Sequence, residues 1–324
     1  MQSNVLKYKK IFIAGHKGMV GTAIVNFLKK KKINNLILIE RKKLNLLDQN
    51  KVEKFIKLKK PDIIINCAGK VGGILANSKY PVEFLNENII IQLNLINSAY
   101  KNKIEHFVNL GSSCIYPKNF TKPIKERYLL TSSLEKTNEA YALAKIIGLK
   151  SCEFYNKQYM TNYITLMPCN LYGPNDNFHE KNSHFIPALI KKFVEAKRKK
   201  KNHVEIWGSG LPKREIMHVD DLSDAIVFIL EKKILNCKKL KKIIKDHSLI
   251  NVGSGNEYTI KEFAKIINKI SDANKILKFN KRYPDGTKRK VLDLSLMKRL
   301  GWKSKISHKI GLKNTIEWYI KNYK

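Results

Sequence analysis

Short apolar runs alternate with helical patterns over the first half of the chain, and this alternation most restricts the fold. Runs at 10–14, 35–39, 62–66, 107–110 and 163–167 indicate buried strands, and helical patterns separate them. Strands that alternate with helices are typical of a parallel sheet with helices on both faces. We therefore predict an α/β fold, a doubly wound parallel sheet of about seven strands with a smaller C-terminal lobe.

A glycine-rich turn follows the first predicted strand. Gly15, Gly18 and Gly21 stand three apart and lead into an apolar-periodic helix. Glycines at such a turn let the backbone approach a pyrophosphate, which lies at the helix N-terminus. The spacing GxxGxxG differs from the usual GxGxxG, so an ordinary glycine turn is the alternative. In its strand–loop–helix context the motif favours dinucleotide binding.

The end of the second predicted strand bears on which dinucleotide binds. An acidic residue there holds the ribose 2′-hydroxyl of NAD, and a basic residue accepts the 2′-phosphate of NADP. The chain has both, Glu40 and Arg41, and it also has Lys17 in the glycine loop. We predict NADP (NADPH) as the cofactor, with NAD bound through Glu40 as the alternative. Arg41 and Lys17 would then be merely two solvated cations among 63 basic residues.

The pattern of elements changes after Pro174, where polar, loop-like sequence begins. We predict an NADP-binding Rossmann domain over residues 1–174, to which elements near 216–233 and 248–253 return. Residues 175–324 are predicted to form mainly a substrate-binding lobe.

Tyr141 and Lys145 stand four apart in a predicted helix, which places both side chains on one face. A neighbouring ammonium lowers the pKa of a phenol, which then releases its proton more readily, as an acid must when a carbonyl is reduced. By itself the pair is weak evidence, because a solvated lysine beside a packed tyrosine would give the same pattern.

Charge and cysteine content restrict the partners and the compartment. The net charge of +36 suggests a polyanion, but lysine is spread along the whole chain without a basic stripe, so we predict no nucleic-acid partner. A positive field would still favour an anionic substrate or cofactor. The five cysteines include no CxxC pair, which fits reduced thiols in a cytoplasmic protein, and we assign no metal ligands. No signal region and no membrane-spanning run is found, so no membrane partner is predicted.

Several motifs, taken in order, resemble the extended short-chain dehydrogenase/reductases that act on nucleotide sugars. They are the glycine loop, the Tyr141/Lys145 pair and the segments 66–69, 111–113 and 168–170. Longer strings from about residue 10 to 319 resemble the GDP-L-fucose synthase family, and these strings are 15–21, 70–74, 111–117, 175–179, 183–188 and 284–287. The resemblance fails mainly at the Lys-rich segment 232–246, which we interpret as a surface insertion.

The resemblance implies epimerisation of GDP-4-keto-6-deoxymannose at C3 and C5, followed by hydride transfer from NADPH to C4. Ser112 and Tyr141 would hydrogen-bond the C4 oxygen, and Lys145 would orient the nicotinamide ribose and tune Tyr141. Cys114 and His184 resemble the pair of groups that exchanges the protons at C3 and C5. The alternatives are a buried, apolar role for Cys114 and a capping or core role for His184.

The resemblance also implies binding contacts and an assembly. The implied cofactor contacts are Gly15, His16, Lys17, Gly18, Met19, Val20, Gly21, Arg41, Leu46, Tyr141, Lys145, Pro168, Asn170, Leu171 and His184. The implied GDP-sugar contacts are Asn170, Lys192, Trp207, Arg214 and Asp285. Lys192 and Arg214 would meet the diphosphate, and Asp285 and Trp207 would lie nearer the sugar or base. A homodimer packed through helices near 84–101 and 140–158 is implied as well.

Neighbouring residues and other functions remain as alternatives. His179 could be mistaken for His184, and Lys191 is chemically the same as Lys192. The nearest other function is a different nucleotide-sugar epimerase, reductase or 4,6-dehydratase, although such dehydratases carry an acidic pair where this chain has Ser113-Cys114. A non-catalytic Rossmann protein that senses a cofactor or binds nucleic acid is disfavoured by the Tyr/Lys pair.

Overall fold

The computed structural model describes residues 5–118, 120, 122–179, 183–234, 237–283 and 285–323, with 244–247 described by their backbone alone. The strands there are β1 (Ile11–Ala14), β2 (Leu36–Ile37), β3 (Ile63–Asn66), β4 (His106–Leu110), β5 (Ile164–Pro168), β6 (Asn170–Tyr172), β7 (His203–Trp207), β8 (Lys213–His218), β9 (Leu249–Val252), β10 (Glu257–Thr259), β11 (Ile276–Asn280) and β12 (Arg289–Lys290). Pro284, the first residue of one predicted string, lies outside the described residues.

Helices follow most of the strands. They are α1 (Met19–Lys30), α2 (Gln49–Lys59), α3 (Ile74–Lys79), α4 (Pro81–Lys101), α5 (Glu139–Tyr159), α6 (Phe185–Arg198), α7 (Val219–Ile234), α8 (Lys238–His247), α9 (Ile260–Ile270), α10 (Ser295–Leu300) and α11 (His308–Asn322). Short 3₁₀ turns occur at Ser113–Ile115, Glu126–Tyr128 and Lys136–Asn138.

The central sheet has the strand order β2-β1-β3-β4-β5-β9, and every pair is parallel. All of these strands except the edge strand β2 are buried along their whole length, as continuous apolar runs predict when helices cover both faces. The predicted doubly wound parallel sheet is confirmed, with six strands rather than about seven. Because the order reverses between β1 and β3, the crevice for a ligand lies beyond their carboxyl ends.

A second set of strands forms the lobe beside this sheet. β8 pairs with β6, β10 and β12, and β7 pairs with β11. These strands and helices α6, α9 and α11 enclose a separate apolar core that includes Phe193, Phe263 and Leu312. The elements near 216–233 are divided, because β8 belongs to this second set whereas α7 packs against α1 of the central layer.

One buried carboxylate ties the second set together. Glu215 of β8 accepts hydrogen bonds from the backbone N–H groups of Gly255, at 2.7 Å, and Leu292, at 2.9 Å. The Glu215 side chain therefore joins three segments that are far apart in the sequence. Burial raises the pKa of this carboxyl, and the two N–H donors oppose that shift.

The Lys-rich segment 232–246 is not simply a surface insertion, and that interpretation needs correction. α7 continues to Ile234, and α8 directs Leu240 and Ile243 into the main core. The described lysine side chains of α8 are exposed on either side of Leu240, so the segment forms an amphipathic helix whose apolar face is packed. Leu235 and Asn236 lie outside the described residues.

Candidate active site

The glycine loop lies at the reversal of strand order, and its three glycines have different reasons to be glycine. Gly15 has φ +80°, and a Cβ there would lie 2.8 Å from the Cα of Ala68. A Cβ on Gly21 would lie 2.2 Å from the carbonyl oxygen of Gly15. A Cβ on Gly18 would meet only that same oxygen, at 3.5 Å. Packing therefore requires Gly15 and Gly21, whereas Gly18 leaves open space.

The open space at Gly18 suits a phosphate. Gly18 caps the N-terminus of α1 without any side-chain hydrogen bond, so free N–H groups of the first turn point outward. The loop is held by the hydroxyl of Thr22, which donates to the carbonyl of His16 at 3.1 Å. These features fit the pyrophosphate of a dinucleotide, with Lys17, Met19 and Val20 beside it.

Charged residues meet at the end of β2. Lys17 Nζ lies 2.7 Å from Glu40 Oε1, and this pair lowers the pKa of the Glu40 carboxyl. The Arg41 guanidinium lies 3.8 Å from Glu87 of α4, which also pairs with Lys70 at 2.7 Å. Arg41 is largely exposed and Glu40 is engaged by Lys17, so the arrangement is compatible with a 2′-phosphate on the cationic side chains.

The remaining predicted cofactor contacts lie around the same edge of the sheet. Leu46 packs against the core beside α4. Its backbone carbonyl accepts a hydrogen bond of 2.9 Å from the side-chain amide of Asn94. Pro168 ends β5, and Asn170 and Leu171 begin β6. The Asn170 amide donates to the backbone carbonyl of Glu215 at 3.1 Å, which links the central sheet to the lobe.

Ser112 joins the predicted catalytic tyrosine and cysteine. It follows β4 and caps the 3₁₀ turn that carries Cys114, whose N–H donates to Ser112 Oγ at 3.5 Å. The Ser112 hydroxyl shares hydrogen bonds with the side chains of Tyr141 and Cys114. Lys145 lies 5.7 Å from the centroid of the Tyr141 ring and donates to the carbonyl of Leu110 at 2.9 Å. The structure thus brings all four side chains together.

The prediction that Lys145 lowers the pKa of Tyr141 is wrong for this structure. Burial raises the pKa of the Tyr141 phenol above its usual range, the Cys114 side chain adds to this, and the Ser112 hydrogen bond opposes it. Burial also lowers the pKa of Lys145 to about 8. The Lys145 ammonium is directed to Leu110 rather than to the phenol oxygen. Tyr141 therefore keeps its proton at neutral pH, as a proton donor must.

The charge of Lys290 in β12 acts on both residues that are predicted to exchange protons, Cys114 and His184. Burial raises the pKa of the Cys114 thiol, and the charge of Lys290 opposes that rise. His184 caps the N-terminus of α6, where it keeps some contact with solvent. The protein packed closely around the imidazole lowers its pKa, and the charge of Lys290 lowers that pKa further. At neutral pH the thiol therefore holds a proton and the imidazole does not. Our sequence analysis missed Lys290, since nothing local distinguishes it from the other lysines.

The loop that precedes His184 is anchored by aromatic packing. Phe178 is buried against the rings of Tyr319, at 4.6 Å between centroids, and Tyr323, at 5.5 Å. The alternative histidine, His179, follows Phe178 on the exposed side of this loop. The C-terminal helix α11 thus supports the segment that leads to His184.

The predicted GDP-sugar contacts lie in the lobe. Lys192 Nζ lies 4.6 Å from the centroid of Trp207, whereas its neighbour Lys191 pairs with Glu195. Arg214 Nη1 donates to the carbonyl of Thr287 at 2.6 Å. The Asp285 carboxylate accepts one hydrogen bond from the backbone N–H of Ser209, at 2.8 Å, and another from the Ser209 hydroxyl, at 2.6 Å. This carboxylate therefore joins two loops of the lobe.

In the part of the chain that the structure describes, no helix is both long and apolar enough to cross a membrane. No group of three or more His, Cys, Asp or Glu side chains there could hold a metal ion.

Comparisons with known proteins agree with this geometry. The chain is 47% identical to the putative GDP-L-fucose synthase 2 of Arabidopsis thaliana, over 98% of this chain and 93% of that protein. It is 44% identical to the GDP-L-fucose synthase of Escherichia coli, over 97% of each. A GDP-mannoheptose C4 reductase from Campylobacter jejuni, solved with NADP bound, has a TM-score of 0.87 and 38% identity, covering 97% of this chain and 99% of that one.

The predicted resemblance to GDP-L-fucose synthases is confirmed by these relatives. A family model described as the NAD dependent epimerase/dehydratase family matches residues 11–238. The strand order, the glycine loop and these similarities agree, and the chain belongs to the NAD dependent epimerase/dehydratase family.

Proposed function

We propose that this protein converts GDP-4-keto-6-deoxy-D-mannose to GDP-L-fucose, epimerising C3 and C5 and reducing C4 with NADPH. The relatives named GDP-L-fucose synthase support the substrate and the product. The observation that carries the proposal is the connection of two chemistries in one cleft. Ser112 accepts from the N–H of Cys114 at 3.5 Å and hydrogen-bonds the Tyr141 side chain. The charge of Lys290 acts on both Cys114 and His184.

Epimerisation needs one group that removes a proton from carbon and another that adds a proton on the opposite face. Cys114 and His184 suit this task, because the pair starts with one proton on the thiol and none on the imidazole. The C4 carbonyl acidifies the protons at C3 and C5. Ser112 and Tyr141 would stabilise the enolate oxygen with hydrogen bonds.

Reduction uses the same oxygen. NADPH, when bound, supplies the hydride that C4 receives. Tyr141 donates its proton to O4, and the raised pKa of its phenol keeps that proton in place until the oxygen gains negative charge. Lys145 would orient the nicotinamide ribose from its position beside Leu110.

The choice of NADPH over NADH follows from the end of β2. A relative of the same fold carries NADP. Arg41 and Lys17 would hold the 2′-phosphate, and the engagement of Glu40 by Lys17 removes the acceptor that a free ribose 2′-hydroxyl would need. The central sheet would therefore hold the cofactor. Residues 175–324 would mainly hold the GDP-sugar, through Lys192, Trp207, Arg214 and Asp285, and Asn170 of β6 would add a contact.

The test is proton NMR of the sugar after incubation in D₂O, with and without NADPH. Deuterium should enter at C3 and C5 without NADPH, and GDP-L-fucose should form with it. The Cys114→Ser/His184→Gln double variant should lose deuterium uptake by about 100-fold or more, as expected for acid–base groups. Tyr141→Phe should lose NADPH oxidation on a similar scale, about 100-fold. His179→Gln is the control and should keep both activities.

Two results would contradict parts of this proposal. Normal deuterium uptake in the double variant would show that other residues exchange the protons, even if reduction survives. Consumption of NADPH by the parent protein without any uptake would favour the alternative, a GDP-sugar 4-reductase that does not epimerise.

We also infer a homodimer and a cytoplasmic location. α4 and α5 pack side by side, and both expose apolar side chains. On α5 they include Leu143, Ile147 and Phe154, which share one face of the helix, and on α4 they include Ile90. Burying such a stripe against a second copy would remove apolar surface from water.

All five cysteines are unbridged, which supports a reducing compartment.

A further inference from the structure

Tyr283 stacks on Trp207 at the outer end of the lobe. The ring centroids are 4.3 Å apart and the planes differ by 14°. Both side chains are 39% exposed. No function has been assigned to Tyr283 so far, although two exposed aromatic rings in parallel stacking are the arrangement that extends naturally to a third planar ring.

Trp207 is held in place by the protein on several sides. Its indole N–H donates to Glu205 Oε1 at 3.2 Å, and the other oxygen of that carboxylate accepts from Asn280 at 3.1 Å. The Lys192 ammonium lies over the indole and also donates to the carbonyl of Glu205 at 2.9 Å. The indole is therefore a fixed support whose ring surface is used by Tyr283 and Lys192.

Tyr283 presents the free surface of this stack. Trp207 covers one face of the phenol ring, and no other ring contact of Tyr283 occurs among the described residues. Since Tyr283 is 39% exposed, a planar base added to its outer face would extend the stack. The same base could not stack directly on Trp207 without displacing Tyr283 or Lys192, which already lie against the indole ring.

Contacts along the lobe give the direction in which a nucleotide sugar would lie. Cys114 marks the sugar end, and Lys290 acts on it. Lys290 is paired in register with Arg214, and Arg214 interacts with Asp285, whose carboxylate holds Ser209.

Ser209 is two residues from Trp207, so these contacts run from the reacting carbons, past a cationic centre suited to a diphosphate, to the aromatic stack. A sugar, a diphosphate and a base follow each other in the same order.

We propose that Tyr283 provides the surface on which the base of a nucleoside diphosphate stacks, with Trp207 as its fixed support. The inference rests on the GDP-sugar function proposed above and refines it, because it moves the base contact from Trp207 to Tyr283. Stacking needs a flat ring rather than the phenol hydroxyl, so phenylalanine should serve at position 283 and alanine should not.

The experiment measures binding of GDP by calorimetry to the full chain saturated with NADP⁺. Tyr283→Ala should weaken GDP binding about tenfold, the scale of losing one base–aromatic stack. Tyr283→Phe should restore the affinity to within about twofold of the parent protein. Tyr8→Ala is the control, because it removes an exposed tyrosine that precedes β1, at the amino end of that strand. It should leave the affinity for GDP unchanged.

Inorganic pyrophosphate, which has no base, separates stacking from damage to the phosphate contacts. Its affinity should be the same in the parent protein and in Tyr283→Ala. An equal loss for GDP and pyrophosphate would overturn the inference, as would unchanged or tighter GDP binding in Tyr283→Ala. If the parent protein itself fails to bind GDP, the GDP-sugar function falls and this inference falls with it, so the two failures are distinguishable.

Discussion

Ser112 shows how one small side chain can serve two reactions. Its hydroxyl adjoins both the Tyr141 phenol and the Cys114 thiol. In the proposed reaction, the group that would contact the C4 oxygen therefore also adjoins a group that would exchange protons at the neighbouring carbon. The spacing of four residues indicated Tyr141 and Lys145, whereas Ser112 and Cys114 were indicated by the resemblance to a known family. The direction of the Tyr141 pKa shift was not predictable, since it depends on burial and on where Lys145 points.

A second buried lysine lies outside the site and gives a test of folding energetics. Lys233 of α7 is buried and donates to the carbonyl of Asn162, and burial lowers its pKa to about 7. Between pH 7 and the usual lysine pKa of 10.5, the unfolded chain holds a proton that the folded protein has released. This lysine therefore makes stability rise with pH over that window.

Lys233→Met should remove this dependence on pH. Relative to the parent protein, the variant should be most stable at pH 7. The advantage should shrink as pH rises to 9, because the parent must release the Lys233 proton on folding and this release costs less at higher pH. Urea denaturation at pH 7, 8 and 9 measures the difference. Lys232→Met, at the adjacent and more accessible lysine, is the control and should keep the slope of the parent. Parallel pH profiles for the parent and Lys233→Met would contradict the prediction.

At the scale of elements, the turn between β1 and α1 separates packing from ligand binding. Gly21→Ala places a methyl group against the backbone of Gly15 and should cost about 1–3 kcal/mol of unfolding free energy or more, as overpacking does. Gly18→Ala meets open space at a φ of −74°, so the fold should be kept or slightly stabilised. Its effect should fall on NADPH, whose pyrophosphate needs that space.

Chemical denaturation and cofactor titration of the two variants test this contrast. Gly18→Ala should unfold like the parent protein but bind NADPH at least about tenfold more weakly, on the scale of a lost phosphate contact. Gly21→Ala should unfold more easily. If Gly18→Ala binds NADPH normally, the pyrophosphate does not lie at this turn.

Elements that are defined locally could be predicted, and those that depend on distant pairing could not. The buried strands β1, β3, β4 and β5 follow from continuous apolar runs. The placement of β8 in the second set of strands depends on β6, β10 and β12, which the local sequence does not specify. Lys290 and Tyr283 escaped notice for the same reason. Pairing of β12 with β8 sets Lys290 beside Arg214, and pairing of β11 with β7 brings the segment that carries Tyr283 to Trp207.

At the scale of the whole molecule, the exposed faces of α4 and α5 make assembly testable. Ile147→Glu places a charge in the apolar stripe and should convert the proposed dimer to monomers of 37.5 kDa, because an unpaired charge is costly to bury. Light scattering after size exclusion measures the mass. Leu58→Glu, on the exposed surface of α2, is the control and should stay dimeric. A parent protein that elutes as a monomer at micromolar concentration would refute the proposed dimer.

The buried carboxylate of Glu215 has a consequence for the evolution of related chains. A Cβ on Gly253 would lie 2.2 Å from Glu215 Oε1, so glycine at 253 and glutamate at 215 depend on each other. Lineages that keep the acid must keep the glycine, whereas loss of the acid frees position 253 for larger residues. Substitutions at these two positions are therefore expected to co-vary, although the positions are 38 apart in the sequence.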